Sequence, residues 1–214
     1  MRRAFWRGRR VLVTAGPTRE HIDPVRYLSN ESSGAMGWAL AEAARDAGAR
    51  VTLVAGPTGR TAPRGVKTIG VVSARGMLAA ARRPARRADV IIGAAAVADW
   101  RPARAARGKL KKGRVAPLLK LTPNPDVLAA LARAARPGAR CVGFALETSR
   151  LIARAREKMR RKNLDLIVAN PPSSMGGART QAHLLSRDGA ARAFSGTKRA
   201  LARRILTTLE EIRE

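Results

Sequence analysis

Aromatic residues are scarce in this sequence, at only 3% of its 214 positions. A core without large rings has to be built mainly from Ala, Leu, Val and Ile, and a hydrophobic content of 45% is typical of a folded globular protein. The scarcity also argues against a single-strand nucleic-acid binder, because such proteins stack bases on aromatic side chains set among basic ones. The length is ordinary for one α/β domain, so we expect residues 1–214 to form a single domain.

Cysteine and long apolar runs are also nearly missing. Cys141 is the one cysteine, which excludes an internal disulfide and favours a reducing, cytoplasmic location. The longest apolar runs, such as residues 90–98, are too short to span a bilayer, so we expect no membrane partner. The basic N-terminus leads directly into a strand-like run and lacks the apolar core and the cleavage site of a signal peptide.

Several catalytic signatures are absent as well. His21 and His183 are the only histidines, and neither has the Cys or carboxylate spacing of a zinc site. No G-x-G-x-x-G fingerprint is present, which counts against a nicotinamide or flavin dehydrogenase. No Ser-His-Asp arrangement is indicated, so Ser32 and Ser33 are interpreted as hydrogen-bond donors. Cys141 begins a predicted buried strand, where a thiol behaves as a small hydrophobe.

Acidic residues are few: the sequence has 15 Asp and Glu residues and 43 Lys and Arg residues, which gives a net charge of +28. Such a charge attracts anions, which include nucleic acid, membrane surfaces and small phosphorylated substrates. The basic residues are scattered along the chain, mostly as Arg among Ala, and are not gathered into one arm. A compositional bias towards Arg and Ala is the preferred interpretation, and no specific nucleic-acid partner is expected. A basic nucleic-acid-binding protein remains the remote alternative.

What is present is a regular alternation of strand-like and helix-like stretches. Strands are predicted at residues 11–14, 51–55, 90–93, 118–121, 141–145 and 166–169, and helices at residues 34–47, 74–87, 126–135, 149–162 and 197–212. A hairpin is predicted over residues 182–194, with Asp188-Gly189 at its turn. Repeated βα units predict an α/β fold with a Rossmann-like open, largely parallel sheet, helices on both faces and a C-terminal hairpin. Ligands of such sheets bind beyond the carboxyl ends of the strands.

Two stretches have features of an anion site. The first predicted strand ends in a turn at Gly16, where the missing side chain lets a ligand approach the backbone. Ser32 and Ser33 precede the next helix and Gly34 lies near its first turn, so free N–H groups and the positive helix end can bind an anion. Arg26 could place its guanidinium against phosphate or carboxylate oxygens. On spacing alone, a capped helix with a polar entry loop explains the second stretch equally well.

Basic side chains are concentrated in a segment of low regularity, residues 103–117, which carries Arg104, Arg107, Lys109, Lys111, Lys112 and Arg114. A loop with this charge does not pack on its own, and we expect it to become ordered when an anion arrives. Lys158 and Lys162 lie four apart on one helix face, so they either converge on one anion or form a solvated face.

Seven motifs, in order along the chain, resemble those of the bacterial phosphopantothenate–cysteine ligase family, also called phosphopantothenoylcysteine synthetases. The central motif, at residues 23–37, reads Asp-Pro-Val-Arg-Tyr-Leu-Ser-Asn-Glu-Ser-Ser-Gly-Ala-Met-Gly. The others are residues 14–20, 94–102, 109–112, 124–126, 142–148 and 162–170. The resemblance covers nearly the full chain.

The resemblance implies a ligase of coenzyme A biosynthesis. In that family CTP activates 4'-phosphopantothenate to an acyl cytidylate with release of pyrophosphate, and the amine of L-cysteine then displaces CMP. Mg²⁺ is expected with the triphosphate, the metal ligands are unknown apart from Asp99 as a candidate, and no flavin is expected in this chain. The same ligation with ATP is the alternative, because eukaryotic relatives use ATP.

The resemblance also implies roles for particular residues. Lys109 matches the catalytic lysine, whose cation would stabilise charge that develops at the α-phosphate. Asn30 matches the asparagine that contacts the acyl group and the intermediate, and Arg26 matches an arginine expected to face anionic substrate groups. The expected nucleotide-binding residues are Gly16, Ser32, Ser33, Gly34, Ala95, Asp99, Lys109, Asn124, Pro125, Asp126, Phe144, Lys158 and Lys162.

The chain departs from the family pattern at Pro171-Pro172 and at residues 176–180, where an acidic segment is expected, so the resemblance does not extend to the contacts of a C-terminal flap. The resemblance implies a homodimer in which residues 23–30 could cross between subunits. Many members carry a flavin-binding decarboxylase domain ahead of this one. Because the first predicted strand begins about ten residues after Met1, we expect a synthetase alone, with the decarboxylase either a separate chain or a removed domain.

Overall fold

The computed structural model describes residues 3–113, 118–174, 177 and 179–212. Within these residues the elements in chain order are α1 (Arg3–Trp6), β1 (Arg10–Ala15), β2 (Arg19–His21), β3 (Tyr27–Ser29), α2 (Ala35–Asp46), β4 (Arg50–Ala55), β5 (Lys67–Gly70), α3 (Ala74–Ala85), β6 (Val90–Gly93), β7 (Trp100–Pro102), β8 (Leu121–Pro123), α4 (Val127–Ala134), β9 (Arg140–Leu146), α5 (Leu151–Arg161), β10 (Leu166–Asn170), a short 3-10 turn (Pro172–Ser174), β11 (Arg179–Ser186), β12 (Ala191–Thr197) and α6 (Lys198–Glu211).

Eight strands form one sheet in the order β12-β11-β10-β9-β6-β1-β4-β5. The six strands from β10 to β5 are parallel to one another. The C-terminal hairpin β11–β12 adds two antiparallel strands beyond β10. The predicted fold class, an open and largely parallel α/β sheet with a C-terminal hairpin, is confirmed.

Helices cover both faces of the sheet, because side chains alternate across each strand. Val11 and Val13 of β1 belong to a core shared with α2 and α6. Leu12 points to the opposite face and belongs to a second core, shared with α3, α4 and α5. Both cores are largely aliphatic, with many alanines, as the composition predicted.

Four short strands, β2, β3, β5 and β7, were not predicted, and one predicted strand is misplaced. The strand predicted at residues 118–121 is wrong in position: Leu118 is 98% exposed, and the strand that forms is β8, which pairs with β7 in a separate two-stranded sheet. The pairing partner, not the apolar run, decides where this strand lies. Strand β5 was not predicted at all, because this edge strand is only half buried and carries a mixed pattern of Lys, Thr, Ile and Gly.

The strand order places a crevice between β1 and β6. From β1 the chain moves outward to β4 and β5, and it then returns to β6 on the other side of β1. The direction of strand addition reverses at this point, and in open α/β sheets the ligand site is the crevice outside the carboxyl ends of the two strands concerned.

Gly37 lets α2 pack closely against β1. A Cβ atom added at Gly37 would lie 2.2 Å from the Cβ of Ala15. We therefore expect Gly37→Ala to displace the helix and to lower the free energy of unfolding by about 1–3 kcal/mol, despite the better helix propensity of alanine. Urea denaturation measures this change. Gly70→Ala is the matched control, since a Cβ there meets no atom within 4 Å. Equal loss in both variants would contradict the close contact.

Candidate active site

A first cleft, with a volume of about 190 Å³, opens at the carboxyl ends of β1, β6 and β9. It is lined by Thr14, Gly93, Ala95, Val97, Ala98, Asp99, Asn124, Pro125, Asp126, Val127, Leu128, Phe144, Lys158 and Lys162. The fold thus gathers most of the expected nucleotide-binding residues around one cavity, although they come from four separate parts of the chain.

Lys158 on α5 and Lys162, which directly follows this helix, give the first cleft its positive charge. Lys162 Nζ lies 2.8 Å from a carboxylate oxygen of Asp126, and only 12% of the Lys162 side chain is exposed. Desolvation, together with the neighbouring Lys162, lowers the pKa of Lys158, against the opposing effect of Glu147, Asp126 and Asp99. A phosphate in the cleft would favour the charged form of Lys158, because an opposite charge nearby stabilises an ammonium.

Asp126 has a structural contact as well as its ion pair. Its side chain caps α4 by accepting a hydrogen bond from the Ala129 N–H at 3.1 Å. Partial burial raises the pKa of Asp126, but the hydrogen bond from Lys162, the helix cap and the charge of Lys158 outweigh burial and lower it overall. Asp126 is therefore a carboxylate that orients Lys162 at the rim of the first cleft.

Asn124 fixes the entry to α4. Its Nδ2 donates to the Ala98 carbonyl at 2.8 Å, its backbone N–H donates to the Asp99 carbonyl at 2.8 Å, and Arg101 donates to its Oδ1 at 3.3 Å. Asn124 is one of the expected nucleotide-binding residues, together with Pro125 and Asp126. The N–H of Asn124 is already engaged by Asp99, so this residue holds two walls of the cleft together.

A second cleft, with a volume of about 560 Å³, opens on the other side of the β1 strand end. It is lined by Pro17, Arg19, Tyr27, Ser29, Asn30, Ser32, Ser33, Pro57, Thr58, Gly59 and Arg60. Gly16 and Gly34 lie beside it with φ angles of +74° and +70°, and a Cβ at either position would lie 3.0 Å from Cγ2 of Thr58. Both glycines are required by conformation and by space at this corner.

A wall formed by residues 16–18 and 94–98 separates the two clefts. Pro17 and Ala96 form a parallel β-bridge, and the Ala96 N–H donates to the Gly16 carbonyl at 2.9 Å. Asn30 reaches this wall from the second cleft, with Nδ2 donating to the Ala96 carbonyl at 3.1 Å. The neighbours of Ala96, Ala95 and Val97, line the first cleft. The side chain of Asn30 therefore lies where a ligand that passes from one cleft to the other would cross.

The antiparallel pair β2–β3 supports the wall and connects it to distant parts of the chain. Thr18 Oγ1, at its start, accepts a hydrogen bond from the Ala98 N–H at 3.0 Å. Glu20, which is 4% exposed, accepts from the Ala74 N–H at 2.8 Å, at the positive end of α3. Residues 27–29, which the resemblance expected to cross between subunits, pair here with residues 19–21 of the same chain.

Arg26 and Lys109, two of the three expected catalytic residues, line neither cleft. That Arg26 faces anionic substrate groups stays a prediction; its guanidinium binds the buried carboxylate of Asp23, with Nε at 2.9 Å from Oδ2, and donates to the Leu110 carbonyl at 2.7 Å. A buried carboxylate needs such a partner. Lys109 is exposed within the basic segment. Arg114 lies outside the described residues, as do residues 176 and 178 of the segment that departs from the family pattern.

Sequence reasoning missed Arg60 and Thr58 in the second cleft. Arg60 Nε donates to the Ser33 carbonyl at 2.8 Å, which joins the loop after β4 to the entry of α2. No motif covers residues 57–60. The signal that could have found them is their position, since they follow the carboxyl end of a strand next to β1.

The residues present fit a magnesium ion that a triphosphate brings with it. Among the described residues there is no group of three or more His, Cys, Asp and Glu side chains placed to hold a metal. Asp99 is an exposed carboxylate on the first cleft, and unlike Asp126 it has no lysine within ion-pair distance among the described residues. Mg²⁺ is commonly held by one or two carboxylates together with substrate phosphates, so Asp99 is a suitable protein ligand.

Cys141 is not a nucleophile in this fold. Burial and the nearby charge of Asp165 raise the pKa of Cys141 to about 12, so the thiol is neutral at physiological pH. Across the described part of the chain, no helix has both the length and the apolar character needed to cross a membrane.

Comparison with known proteins gives consistent matches. The family model of the DNA/pantothenate metabolism flavoprotein C-terminal domain matches residues 6–212. The coenzyme A biosynthesis bifunctional protein CoaBC of Haemophilus influenzae is 47% identical over 166 residues, which are 78% of this chain and 42% of that protein. The CoaBC protein of Mycobacterium bovis is 43% identical over 217 residues, covering 94% of this chain and 52% of its own length.

The chain therefore spans about half the length of the curated relatives it matches. A crystal structure of the C-terminal domain of a coenzyme A biosynthesis bifunctional protein CoaBC has a similar fold. Its TM-score is 0.83 at 38% identity, and the match covers 96% of this chain and 95% of that one.

Proposed function

The chain belongs to the family of the DNA/pantothenate metabolism flavoprotein C-terminal domain, and on that premise we propose that it is a phosphopantothenate–cysteine ligase of coenzyme A biosynthesis. Membership confirms the resemblance carried by the seven sequence motifs. The observation that supports the proposal most directly is the joint placement of the two clefts, with Asn30 on the wall between them.

In this proposal the first cleft binds CTP. Lys158 and Lys162 face its phosphates, and Phe144 contributes an apolar surface for the base. Two partly buried ammonium groups attract a polyanion more strongly than exposed ones do, since the local dielectric is lower. A bound Mg²⁺, carried by the triphosphate and contacted by Asp99, would neutralise charge on the phosphate oxygens.

The second cleft binds 4'-phosphopantothenate with its carboxylate directed towards Ala96. A carboxylate oxygen attacks the α-phosphorus, a C–O–P linkage forms, and the bond to the β-phosphate oxygen breaks, so that pyrophosphate leaves with the electron pair. The carboxamide of Asn30 can donate to the resulting mixed anhydride without adding charge. Its present hydrogen bond to the Ala96 carbonyl holds it at that position.

In the second step the amine of L-cysteine attacks the acyl carbon. The C–N bond forms, the C–O bond to the nucleotide phosphate breaks, CMP leaves, and the amine nitrogen loses a proton. No protein thiol takes part, which agrees with the neutral state of Cys141.

Lys109 supplies a positive charge where negative charge develops on the α-phosphate, and a preorganised cation stabilises that transition state.

The proposal extends to the assembly. We infer a homodimer that works together with a phosphopantothenoylcysteine decarboxylase, in line with the bifunctional name of the CoaBC relatives.

Pyrophosphate release provides the test. The purified protein is incubated with Mg²⁺ and CTP or ATP, with and without 4'-phosphopantothenate and L-cysteine. We expect pyrophosphate only when CTP and 4'-phosphopantothenate are both present, and CMP with the amide product after L-cysteine is added. Faster pyrophosphate release with ATP than with CTP would show that ATP, and not CTP, is the nucleotide substrate. No release with either nucleotide would contradict the ligase assignment.

A further inference from the structure

A buried carboxylate holds the basic segment against the β2–β3 turn. Asp23 is 1% exposed, and its Oδ1 accepts hydrogen bonds from the N–H groups of Val25 and Arg26, each at 2.8 Å. Its Oδ2 accepts from Nε of Arg26 at 2.9 Å and from the Leu110 N–H at 3.1 Å. Arg26 in turn donates to the Leu110 carbonyl at 2.7 Å. Both polar groups of the Leu110 backbone are thereby bound by one ion pair.

This contact, which we call the Asp23 clamp, joins residues 87 positions apart. Within the described residues 103–113, few other hydrogen bonds fix the segment, one of them from the Ala103 N–H to the Lys120 carbonyl at 2.8 Å. Residues 103–113 contain no helix or strand, and their side chains are exposed except for the half-buried Ala106. The Ala106 N–H donates to the Ile22 carbonyl at 2.8 Å, beside the clamp. The position of this stretch therefore depends on the turn at residues 22–26, since little apolar packing supports it.

The chemistry of the clamp requires a carboxylate. The guanidinium of Arg26 lowers the pKa of Asp23 by hydrogen bonding, burial opposes this, and the N–H groups of Val25, Arg26 and Leu110 lower it further. Asparagine has nearly the same shape, but it carries no charge for Arg26. Its NH₂ group would also meet N–H donors that need an acceptor, and a buried donor without a partner is costly.

We propose that Asp23 is a positioning residue which, through Arg26 and the backbone of Leu110, sets the location of the adjacent Lys109. The clamp itself follows from the geometry alone, whereas its effect on the reaction rests on the proposed function. The proposal also gives Arg26 a task other than contact with substrate, and it explains why Arg26 lies outside both clefts.

Limited trypsin digestion tests the clamp directly, because the segment carries its own cleavage sites at Arg104, Arg107, Lys109, Lys111 and Lys112. In Asp23→Asn we expect cleavage in this segment to be about ten-fold faster, since the local opening equilibrium shifts. Asp46→Asn is the matched control, because Asp46 is an exposed carboxylate that also pairs with an arginine, Arg45.

Leu110→Pro provides a second route in case Asp23→Asn folds poorly. Proline removes the N–H that Asp23 binds and leaves the sequence of the β2–β3 turn unchanged. Because trypsin does not cut before proline, cleavage is compared at Arg107, Lys111 and Lys112 and not at Lys109. Leu110→Ala keeps both backbone groups, so its trypsin cleavage rate should equal that of the wild type. Faster cleavage in Leu110→Ala than in Leu110→Pro would overturn the clamp, as would unchanged cleavage in both Asp23→Asn and Leu110→Pro.

Steady-state kinetics separate positioning from a general structural effect. We expect Asp23→Asn to lower kcat for pyrophosphate release by about ten-fold and to leave the KM for the nucleotide nearly unchanged, because Lys109 acts in the transition state. A rise in KM with kcat unchanged would overturn the positioning role. A wild-type protein without ligase activity would refute the proposed function, whereas unchanged trypsin cleavage refutes the clamp whether or not the protein is a ligase.

Discussion

Lys109→Gln is expected to abolish formation of the acyl nucleotide. The substitution leaves a flexible, polar and somewhat shorter side chain, and it removes the positive charge proposed to act on the α-phosphate. Loss of one group that stabilises transition-state charge commonly lowers kcat by about 10²–10³-fold. The measurement is pyrophosphate release with CTP and 4'-phosphopantothenate in the absence of L-cysteine, which isolates the first half of the reaction.

The control for Lys109→Gln is Lys111→Gln, which changes the net charge equally and lies two residues away in the same exposed segment. Lys111→Gln should retain most of the activity, because the general attraction of the +28 protein for anions is hardly altered. An unchanged rate in Lys109→Gln, or an equal loss in both variants, would show that the segment acts only through its overall charge.

Asn30→Asp should lower kcat/KM for the ligation by about 10²-fold. The Asn30 amide donates to the Ala96 carbonyl at 3.1 Å, on the wall between the clefts. A carboxylate cannot donate this hydrogen bond, and its charge repels both the carbonyl oxygen and the phosphate of the activated intermediate. Steady-state rates at varied CTP and 4'-phosphopantothenate concentrations measure the effect.

Asn163→Asp is the matched control for this second prediction. Asn163 is exposed, and its Oδ1 accepts a hydrogen bond from Arg187 at 2.9 Å, a contact that an aspartate preserves. Thermal unfolding of both variants should show whether folding is intact. If Asn30→Asp folded normally and kept wild-type turnover, the role proposed for the wall between the clefts would be wrong.

Much of the fold could be predicted because the central strands are buried on both faces. The apolar runs at residues 11–14, 90–93 and 166–169 form the strands β1, β6 and β10. Strand β6 has the predicted bounds, β10 is one residue longer and β1 is two residues longer. The edge strand β5 and the short strands β2, β3, β7 and β8 escaped prediction, because such strands owe their location to a pairing partner more than to their own pattern. The helix predicted at residues 74–87 ends at Ala85, just after Pro84.

The candidate site was predictable where residues follow a strand end, as Ala95 and Asp99 follow β6. Contacts between distant segments were not. Nothing in the neighbourhood of Arg26 predicts that it binds Leu110, which lies 84 positions away. Arg60 escaped for a similar reason: its partner, the Ser33 carbonyl, belongs to a loop 27 positions earlier in the chain. Three-dimensional pairing of loops leaves no period or motif in a single sequence.

The antiparallel pair β2–β3 has one further consequence, for the order of events. At one end of the pair, Thr18 binds the wall that Asn30 contacts. At the other end, Asp23 binds the backbone of Leu110, next to Lys109. Any free energy that a first substrate spends in stiffening this ribbon lowers the cost of fixing the lysine. Thermodynamic linkage makes this effect mutual, so a fixed lysine would in turn raise the affinity for a ligand bound at the wall. A short two-stranded ribbon can thus make binding at the wall depend on the position of a side chain that lines neither cleft in this structure.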